Sequence, residues 1–318
     1  PHRAVILAKS AREFHDHAVH FANGTEDLIG ANGVLIAAKV ASPVEPRVCL
    51  VFSGQGPQFA GMGRSLFATY PVFRDTILRC DQAFFAVSGR SFLATTGLFA
   101  ANQTATVVDL DRPDVAQPAI CFFQLAMFEL LHAAGIRADA VVGHSVGEVA
   151  AAYASGRLSL ESTVRLIYAR SRQQQRTENR GSMLAVACSV ARVEQIIRAR
   201  GLSDLMIAAI NGPSAVTVAG ASDQIQQLRD LCKNVYNVQS SILGVRCAYH
   251  TWQMDAIHGG VSADLAFLQA QAAHAPPDGA PALYSSVTAQ KVESQTRLDA
   301  DYWWNNIRDV VRFQQAMD

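Results

Sequence analysis

Gly143-His144-Ser145-Val146-Gly147 sets a serine between two glycines, each two residues away. An apolar run, Ala140 to Val142, precedes it. Val149-Ala150-Ala151-Ala152-Tyr153-Ala154 follows as a helix-forming stretch that Gly156 can end. That is the G-x-S-x-G spacing of a nucleophile elbow. A serine at a sharp strand-to-helix turn takes strained backbone angles, so its neighbours two residues to either side must lack bulk. The turn lifts the hydroxyl above the sheet and aims the first free N–H groups of the helix at the point where an oxyanion would form. The chemistry this permits is covalent attack on a carbonyl carbon. The plainer alternative is a serine capping the helix of an ordinary α/β domain.

A serine hydroxyl needs a base that titrates near neutrality, and histidine is the usual one. His250, in Cys247-Ala248-Tyr249-His250, lies where the chain leaves one expected unit and re-enters another, a position that ligand clefts favour. His144 is nearer to the serine, but adjacent side chains point apart, so it reads as structural. Arg170 follows Leu166 by one helical turn and is carried toward a buried face, where it needs an anion. Glu148 and Glu178 are internal candidates and a substrate carboxylate is the other; on residue type alone an ion pair is favoured. Ser53-Gly54-Gln55-Gly56-Pro57-Gln58 follows an apolar strand but lacks the endings of a P-loop or a dinucleotide fingerprint. It reads as a loop whose backbone N–H groups approach a ligand, of the kind that supplies the second oxyanion donor beside an elbow. His15, His17 and His20 lie close together, yet no Cys or carboxylate constellation accompanies them. An exposed helix face is expected there rather than a metal site.

The elements that position these groups follow from hydrophobic period. Arg47 to Phe52 reads as a buried strand, Phe67 to Phe85 and Gln117 to Ala134 as helices, and Ala138 to Val142 as the strand that feeds the elbow. Strand, helix, strand, helix in this order implies a parallel sheet with helices on its faces. Leu160 to Gln175 reads as a helix capped by Ser159. From Met183 to Val245 the order becomes β-α-β-β-α-β, with a turn at Asn211-Gly212-Pro213, which is a ferredoxin-like arrangement. Before the Ser42-Pro43-Val44-Glu45-Pro46 linker, helical patterns cover the stretch to Asn23 and Leu28 to Lys39. Leu283 to Val287 reads as a strand, and Trp303-Trp304 as a pair packing a helix on the core.

Composition narrows the class. Half of the 318 residues are hydrophobic and the formal net charge is zero, enough for a large core and without the basic excess of a nucleic-acid partner. No apolar run reads as membrane-spanning. The scattered Cys49, Cys80, Cys121, Cys188, Cys232 and Cys247 read as buried thiols in a reducing, cytoplasmic setting. The chain opens on Pro1 with no signal peptide, as a segment of a longer polypeptide would.

Taken together, these stretches resemble the malonyl-CoA:acyl-carrier-protein transacylases, and most closely the acyltransferase domains of type I polyketide synthases. Gly54-Gln55-Gly56-x-Gln58 is similar to the GQGxQ loop of that family, and Gly143 to Glu148 to its GHSxGE elbow. Arg170 after Tyr168-Ala169 matches its carboxylate-binding arginine, Asn211-Gly212-Pro213 its N-x-P turn, and Tyr249-His250 its catalytic histidine. Tyr302-Trp303-Trp304-x-Asn306 with Val311-x-Phe313 is similar to its YWxxN…VxF ending. The resemblance implies a large α/β-hydrolase-like domain with a parallel sheet over 47–180 and 249–318, and an inserted small ferredoxin-like subdomain over 181–248. Residues 1–46 look like the end of a ketosynthase-to-acyltransferase linker.

The resemblance also implies a ping-pong reaction. Ser145 attacks the thioester of malonyl-CoA, His250 takes the proton, and the backbone N–H groups of Gln55 and Val146 hold the oxyanion. Arg170 grips the free carboxylate, which reverses the order of its two readings. No aspartate completes a triad, so Asp255 is passed over; backbone carbonyls, including that of Arg312, orient the histidine. An acyl carrier protein and neighbouring synthase domains such as a ketosynthase are the implied partners. No bound cofactor is implied; the CoA thioester and the carrier's phosphopantetheine are substrates. Cys247, Tyr249 and Asn211 are the implied pocket residues. Cys247-Ala248-Tyr249-His250 matches neither the malonyl nor the methylmalonyl tetrapeptide of the family, but bulky Tyr249 and Val146 favour malonyl. Competing classes are an α/β serine hydrolase or thioesterase, which would need an acidic third residue, and a silent docking module.

Overall fold

The computed structural model describes residues 3–6, 8, 10–23, 34–37, 47–99, 108–269 and 276–318. The chain divides between Arg47 and Val48. In the first unit, β1 (Arg3–Ile6) and β2 (Val34–Ala37) pair antiparallel, and α1 (Ala11–Ala22) lies between them in sequence. Ser10 caps α1 by accepting from the Glu13 N–H at 3.1 Å. The expected helix over Leu28 to Lys39 is a strand at 34–37, where the run Val-Leu-Ile-Ala carries more β than helix preference. The remainder of that stretch lies outside the described residues, as do the linker residues 42–46. On α1, His15 and His20 are exposed and His17 is half-buried, and no metal-binding group of side chains occurs among the described residues.

The second unit is built on a sheet whose strands run in the order β10-β9-β4-β3. β3 (Cys49–Phe52) pairs parallel with β4 (Ala140–Gly143). Between them in the chain come α2 (Arg64–Thr69), α3 (Pro71–Ser88), α4 (Phe92–Thr96) and α5 (Pro113–Ala133). Residues Phe67 to Phe85 were expected as one helix. Pro71 splits them, because it has no N–H to donate and turns the preceding Tyr70 out to an extended conformation. α5 starts at Pro113 rather than Gln117, which leaves Pro118 inside the helix. It is long and apolar enough to cross a membrane, contrary to expectation, but more than half of it is buried in the core. There Phe84, Phe92, Phe122 and Tyr168 meet edge to face at 5.2 to 6.0 Å. β3 is an edge strand, not a buried one: Cys49 and Val51 are exposed, and of the expected buried thiols Cys49 is exposed and Cys188 only half-buried.

After β4 come α6 (Gly147–Ala154) and α7 (Leu160–Gln175), the latter capped by Ser159 through the Ser162 N–H. The chain then builds a separate antiparallel sheet from β5 (Ser182–Val186), β6 (Leu205–Gly212), β7 (Ala215–Gly220) and β8 (Ser240–Ile242), in the order β6-β7-β5-β8. α8 (Val190–Ala199) and α9 (Ser222–Asn234) cover it, and Leu184, Val193, Ile196, Val218, Ile225 and Leu228 form its own core. Past β8 the chain returns through α10 (His258–Leu265) to β9 (Ala282–Ser285), parallel to β4, and β10 (Gln290–Lys291). α11 (Ala300–Arg308) and α12 (Phe313–Met317) close the chain. Trp303 is fully buried and donates its indole N–H to the Leu298 carbonyl at 3.0 Å; Trp304 lies on the His258 ring at 4.4 Å.

Candidate active site

Ser145 sits between β4 and α6 with φ of 52°, in the left-handed region that side chains rarely adopt. The close packing of the turn explains its glycines. A Cβ on Gly143 would overlap the backbone of Glu148, and one on Gly147 would overlap the Phe52 carbonyl. The His144 N–H donates to that same carbonyl at 2.9 Å and ties the elbow to β3. α6 starts in tight i to i−3 bonds, with Glu148 N–H donating to the Ser145 carbonyl at 3.0 Å. Asn306 Nδ2 donates to the same carbonyl at 3.2 Å. The backbone N–H groups of Val146 and Gln55 donate to no acceptor among the described residues.

His250 arrives from the turn after β8 and also has positive φ, 60°. Its Nε2 lies 2.7 Å from Ser145 Oγ, and its Nδ1 lies 2.9 Å from the carbonyl oxygen of Asp309. A carbonyl only accepts, so the proton sits on Nδ1 and Nε2 is left to accept from the serine hydroxyl. Burial, with the charge of Arg170 next and His144 after it, pulls the imidazole pKa from 6.5 down to about 3; the Asp309 carbonyl opposes this. The imidazole is therefore a neutral base across the physiological range. The sequence points to the Arg312 carbonyl as an orienter of the histidine; in the structure the carbonyl that meets Nδ1 is that of Asp309. The Arg312 N–H instead donates to Ser286 O at 2.8 Å, and its guanidinium to Val287 O at 2.9 Å. Asp255 pairs with Arg308 at 2.6 Å.

Arg170 projects from α7 with 2 % of its surface exposed. Neither internal carboxylate takes it. Glu148 accepts from Ser286 Oγ at 2.7 Å, from Tyr302 Oη and from Asn306 Nδ2 at 3.2 Å; Glu178 accepts from Arg246 at 3.2 Å and from Gln175. Arg170 Nη1 donates to Gln117 Oε1 at 2.8 Å and Gln174 Oε1 at 3.1 Å; Nη2 donates to Asn306 Oδ1 at 3.3 Å and reaches Ser145 Oγ at 3.5 Å. Its buried Nε has no partner. Burial lowers its pKa from 12.5 to about 10, which leaves it charged at neutral pH. A positive charge therefore sits beside the serine with no carboxylate in direct contact among the described residues; Glu148 acts on it only at a distance, through Asn306, which bonds both side chains. Burial raises the Glu148 carboxyl, against the hydrogen bonds from Ser286 and Tyr302.

Of the remaining expected residues, Tyr249 is buried and its hydroxyl donates to Gln55 Oε1 at 3.4 Å. Cys247 is buried, with Sγ 3.9 Å from the Gln174 carbonyl. Asn211 is exposed on β6 and bonds His144 Nε2 at 2.8 Å and Thr217 Oγ1 at 3.2 Å, so it braces the elbow histidine. Gly54 makes room for that ring: a Cβ there would stand 2.9 Å from His144 Nδ1. Sequence reasoning gave no role to Gln117, Gln174, Asn306 or Asp309. The i+4 spacing from Arg170 could have pointed to Gln174; a backbone carbonyl such as that of Asp309 carries no residue-type signal.

A strand-elbow-helix serine, a buried neutral histidine and a buried arginine meet around one centre, the set of groups that nucleophilic acyl chemistry uses. The sequence matches the family model described as "Acyl transferase domain" over residues 49–318, and the chain belongs to that family, among the acyltransferase domains of type I polyketide synthases. It is 33% identical over 316 residues to the spectinabilin polyketide synthase system protein NorA' of Streptomyces orinoci, covering 99% of this chain and 8% of that protein. Erythronolide synthase EryA3 of Saccharopolyspora erythraea is 33% identical over 318 residues, with 98% of this chain and 10% of that protein covered. The chain thus spans about a tenth or less of these relatives. The acyltransferase domain from the second module of the salinomycin polyketide synthase superposes with a TM-score of 0.81 at 30% identity, covering 100% of this chain and 69% of that one. A malonyl CoA-acyl carrier protein transacylase from Burkholderia pseudomallei gives 0.70 at 25% identity, with 85% and 86% covered.

Proposed function

We propose that this domain moves a malonyl group from malonyl-CoA to the phosphopantetheine thiol of an acyl carrier protein, through an ester on Ser145. His250 Nε2 takes the hydroxyl proton as Oγ attacks the thioester carbonyl. The C–S bond breaks, and the imidazolium returns the proton to the CoA sulfur. The carrier thiol repeats the sequence in reverse on the seryl ester. The free N–H groups of Gln55 and Val146 are the oxyanion donors, each worth about 3 kcal/mol in the transition state. The two sheets correspond to a hydrolase-like body and a ferredoxin-like insertion, and neighbouring synthase domains present the carrier.

The observation that carries this reading is Arg170, a buried cation with no carboxylate in direct contact among the described residues, 3.5 Å from Ser145 Oγ. Leaving such a charge unpaired costs roughly 2–5 kcal/mol, so an acyl group ending in a carboxylate is favoured over one that does not. Bulky Tyr249 supports malonyl over methylmalonyl by about 1–3 kcal/mol. The test is incubation with malonyl-, methylmalonyl- and acetyl-CoA followed by intact-mass analysis of the wild type, Ser145→Ala and Arg170→Ala. A malonyl adduct on Ser145 that persists until carrier is added is expected, with malonyl loading falling much more than acetyl loading in Arg170→Ala. Rapid hydrolysis without a thiol would instead assign a hydrolase, and equal losses on both esters would remove the carboxylate role.

A further inference from the structure

Among the described residues, every group that accepts from the Arg170 guanidinium is uncharged: the amide oxygens of Gln117, Gln174 and Asn306 and the Ser145 hydroxyl. Gln174 stands one helical turn after Arg170 on α7, a spacing that brings two side chains together, and it is fully buried. A glutamate there would have the same shape and would neutralise the cation. The orientation of the amide is fixed by what it meets. Its Oε1 accepts from Arg170 and from Gln117 Nε2 at 2.6 Å, so its NH2 group faces the other way, 3.9 Å from the thioether of Met254. The buried or half-buried carboxylates of Glu148 and Glu178 are held elsewhere by their own donors. The guanidinium is thus fixed by several neutral acceptors and touched by no carboxylate among the described residues; Glu148 reaches it only through the Asn306 amide.

We infer that Gln174 is a positioning residue that determines specificity: its neutral amide holds Arg170 beside Ser145 while leaving the positive charge for the free carboxylate of a diacid acyl group. This rests on the reading of Arg170 as the carboxylate receptor. Gln117, on the facing helix, holds the same Nη1 and serves the same end. A glutamate at either position would supply the counter-ion internally and turn a diacid-selective site against diacids.

The experiment compares the wild type with Gln174→Glu, Gln174→Met and Gln117→Glu, measuring kcat/KM for Ser145 ester formation from malonyl-CoA and from acetyl-CoA. Both glutamate variants are expected to lose about 100-fold or more with malonyl-CoA, and less than about tenfold with acetyl-CoA. Gln174→Met keeps the volume and the uncompensated charge, so it should lose only several-fold with malonyl-CoA, because Gln117 and Asn306 still accept from the guanidinium. A merely structural role predicts the opposite pattern, with both esters falling together and the Met variant as impaired as the Glu variant. That pattern overturns the inference, as does a glutamate variant that keeps the wild-type malonyl-to-acetyl ratio. A wild type that forms an ester from neither malonyl- nor methylmalonyl-CoA sinks the carboxylate reading itself, and is told apart from these outcomes because it needs no variant.

Discussion

Ser145 and His250 both hold positive φ, 52° and 60°, and meet with Oγ and Nε2 2.7 Å apart. Neither is glycine, so each stores on the order of 1–3 kcal/mol of backbone strain that its surroundings must over-determine. For Ser145 the restraint is the packing of Gly143 and Gly147, plus two donors on its carbonyl, Glu148 N–H and Asn306 Nδ2. For His250 it is the turn closed by Thr251, whose hydroxyl donates to the Ala248 carbonyl at 2.7 Å. Two strained residues from segments 105 positions apart are held by unrelated contacts and meet at one hydrogen bond. The site is therefore preorganised, with its cost borne by the surrounding fold.

The elbow should tolerate no side chain at Gly147. Its Cβ would overlap the Phe52 carbonyl, which is backbone in β3 and cannot swing aside. Gly147→Ala is expected to destabilise the second unit by roughly 2–4 kcal/mol. Urea unfolding reports this as a lower midpoint with an unchanged slope. A variant within about 0.5 kcal/mol of wild type would mean that the strand and the helix can part.

His250 should make both stability and activity depend on acid in an unusual range. Its imidazole titrates near 6.5 when unfolded and near 3 in the native site, chiefly because it is buried. Between those values the unfolded chain binds the extra proton and the native one does not. Stability is therefore full above pH 6.5 and is lost as the pH falls from there toward 3, by at most about 1.4 kcal/mol per pH unit from this group. Unfolding of the wild type and His250→Asn at pH 7, 6 and 5 should give a steeper acid loss in the wild type; parallel slopes would refute the assignment. The acid limb of kcat/KM for acylation, which reports the free enzyme, should likewise lie well below the usual histidine range.

What the sequence made legible were residues, marked by type and short spacing, that the fold brings to one place. The serine between its glycines, the histidine at a unit junction and the arginine on a buried helix face each announce themselves in a few positions. The succession of strands and helices followed from hydrophobic period. What stayed hidden depends on neighbours distant in sequence. β3 looks fully apolar, and only the sheet order shows that it is an edge with Cys49 and Val51 exposed. Pro71 was visible, yet the periodic pattern across it masked the break between α2 and α3. The partner of His250 could not be read at all, because a main-chain oxygen is present at every residue; its assignment fell on Arg312 when the acceptor is Asp309.

That main-chain oxygen leads to a test that spares every functional side chain. Asp309 to Arg312 forms a strap between the two sheets. Val311 N–H donates to Ala208 O at 2.9 Å, and Val311 O accepts from Ile210 N–H at 2.8 Å, while Arg312 N–H donates to Ser286 O at 2.8 Å on the other side. This strap fixes where the Asp309 carbonyl stands, 2.9 Å from His250 Nδ1. Val311→Pro removes one of those donors and restricts the backbone of Val310. The carbonyl should shift and the imidazole lose its orientation, while Arg170 and its amide partners stay in place. A positioned base contributes typically 10²–10⁴-fold, so a partly misoriented one is expected to cost at least about tenfold in kcat for malonyl transfer, with KM within about threefold of wild type. Val311→Ala keeps the N–H and should keep the rate. If Val311→Pro raises KM and leaves kcat untouched, the strap serves substrate binding and the Asp309 carbonyl does not orient the base.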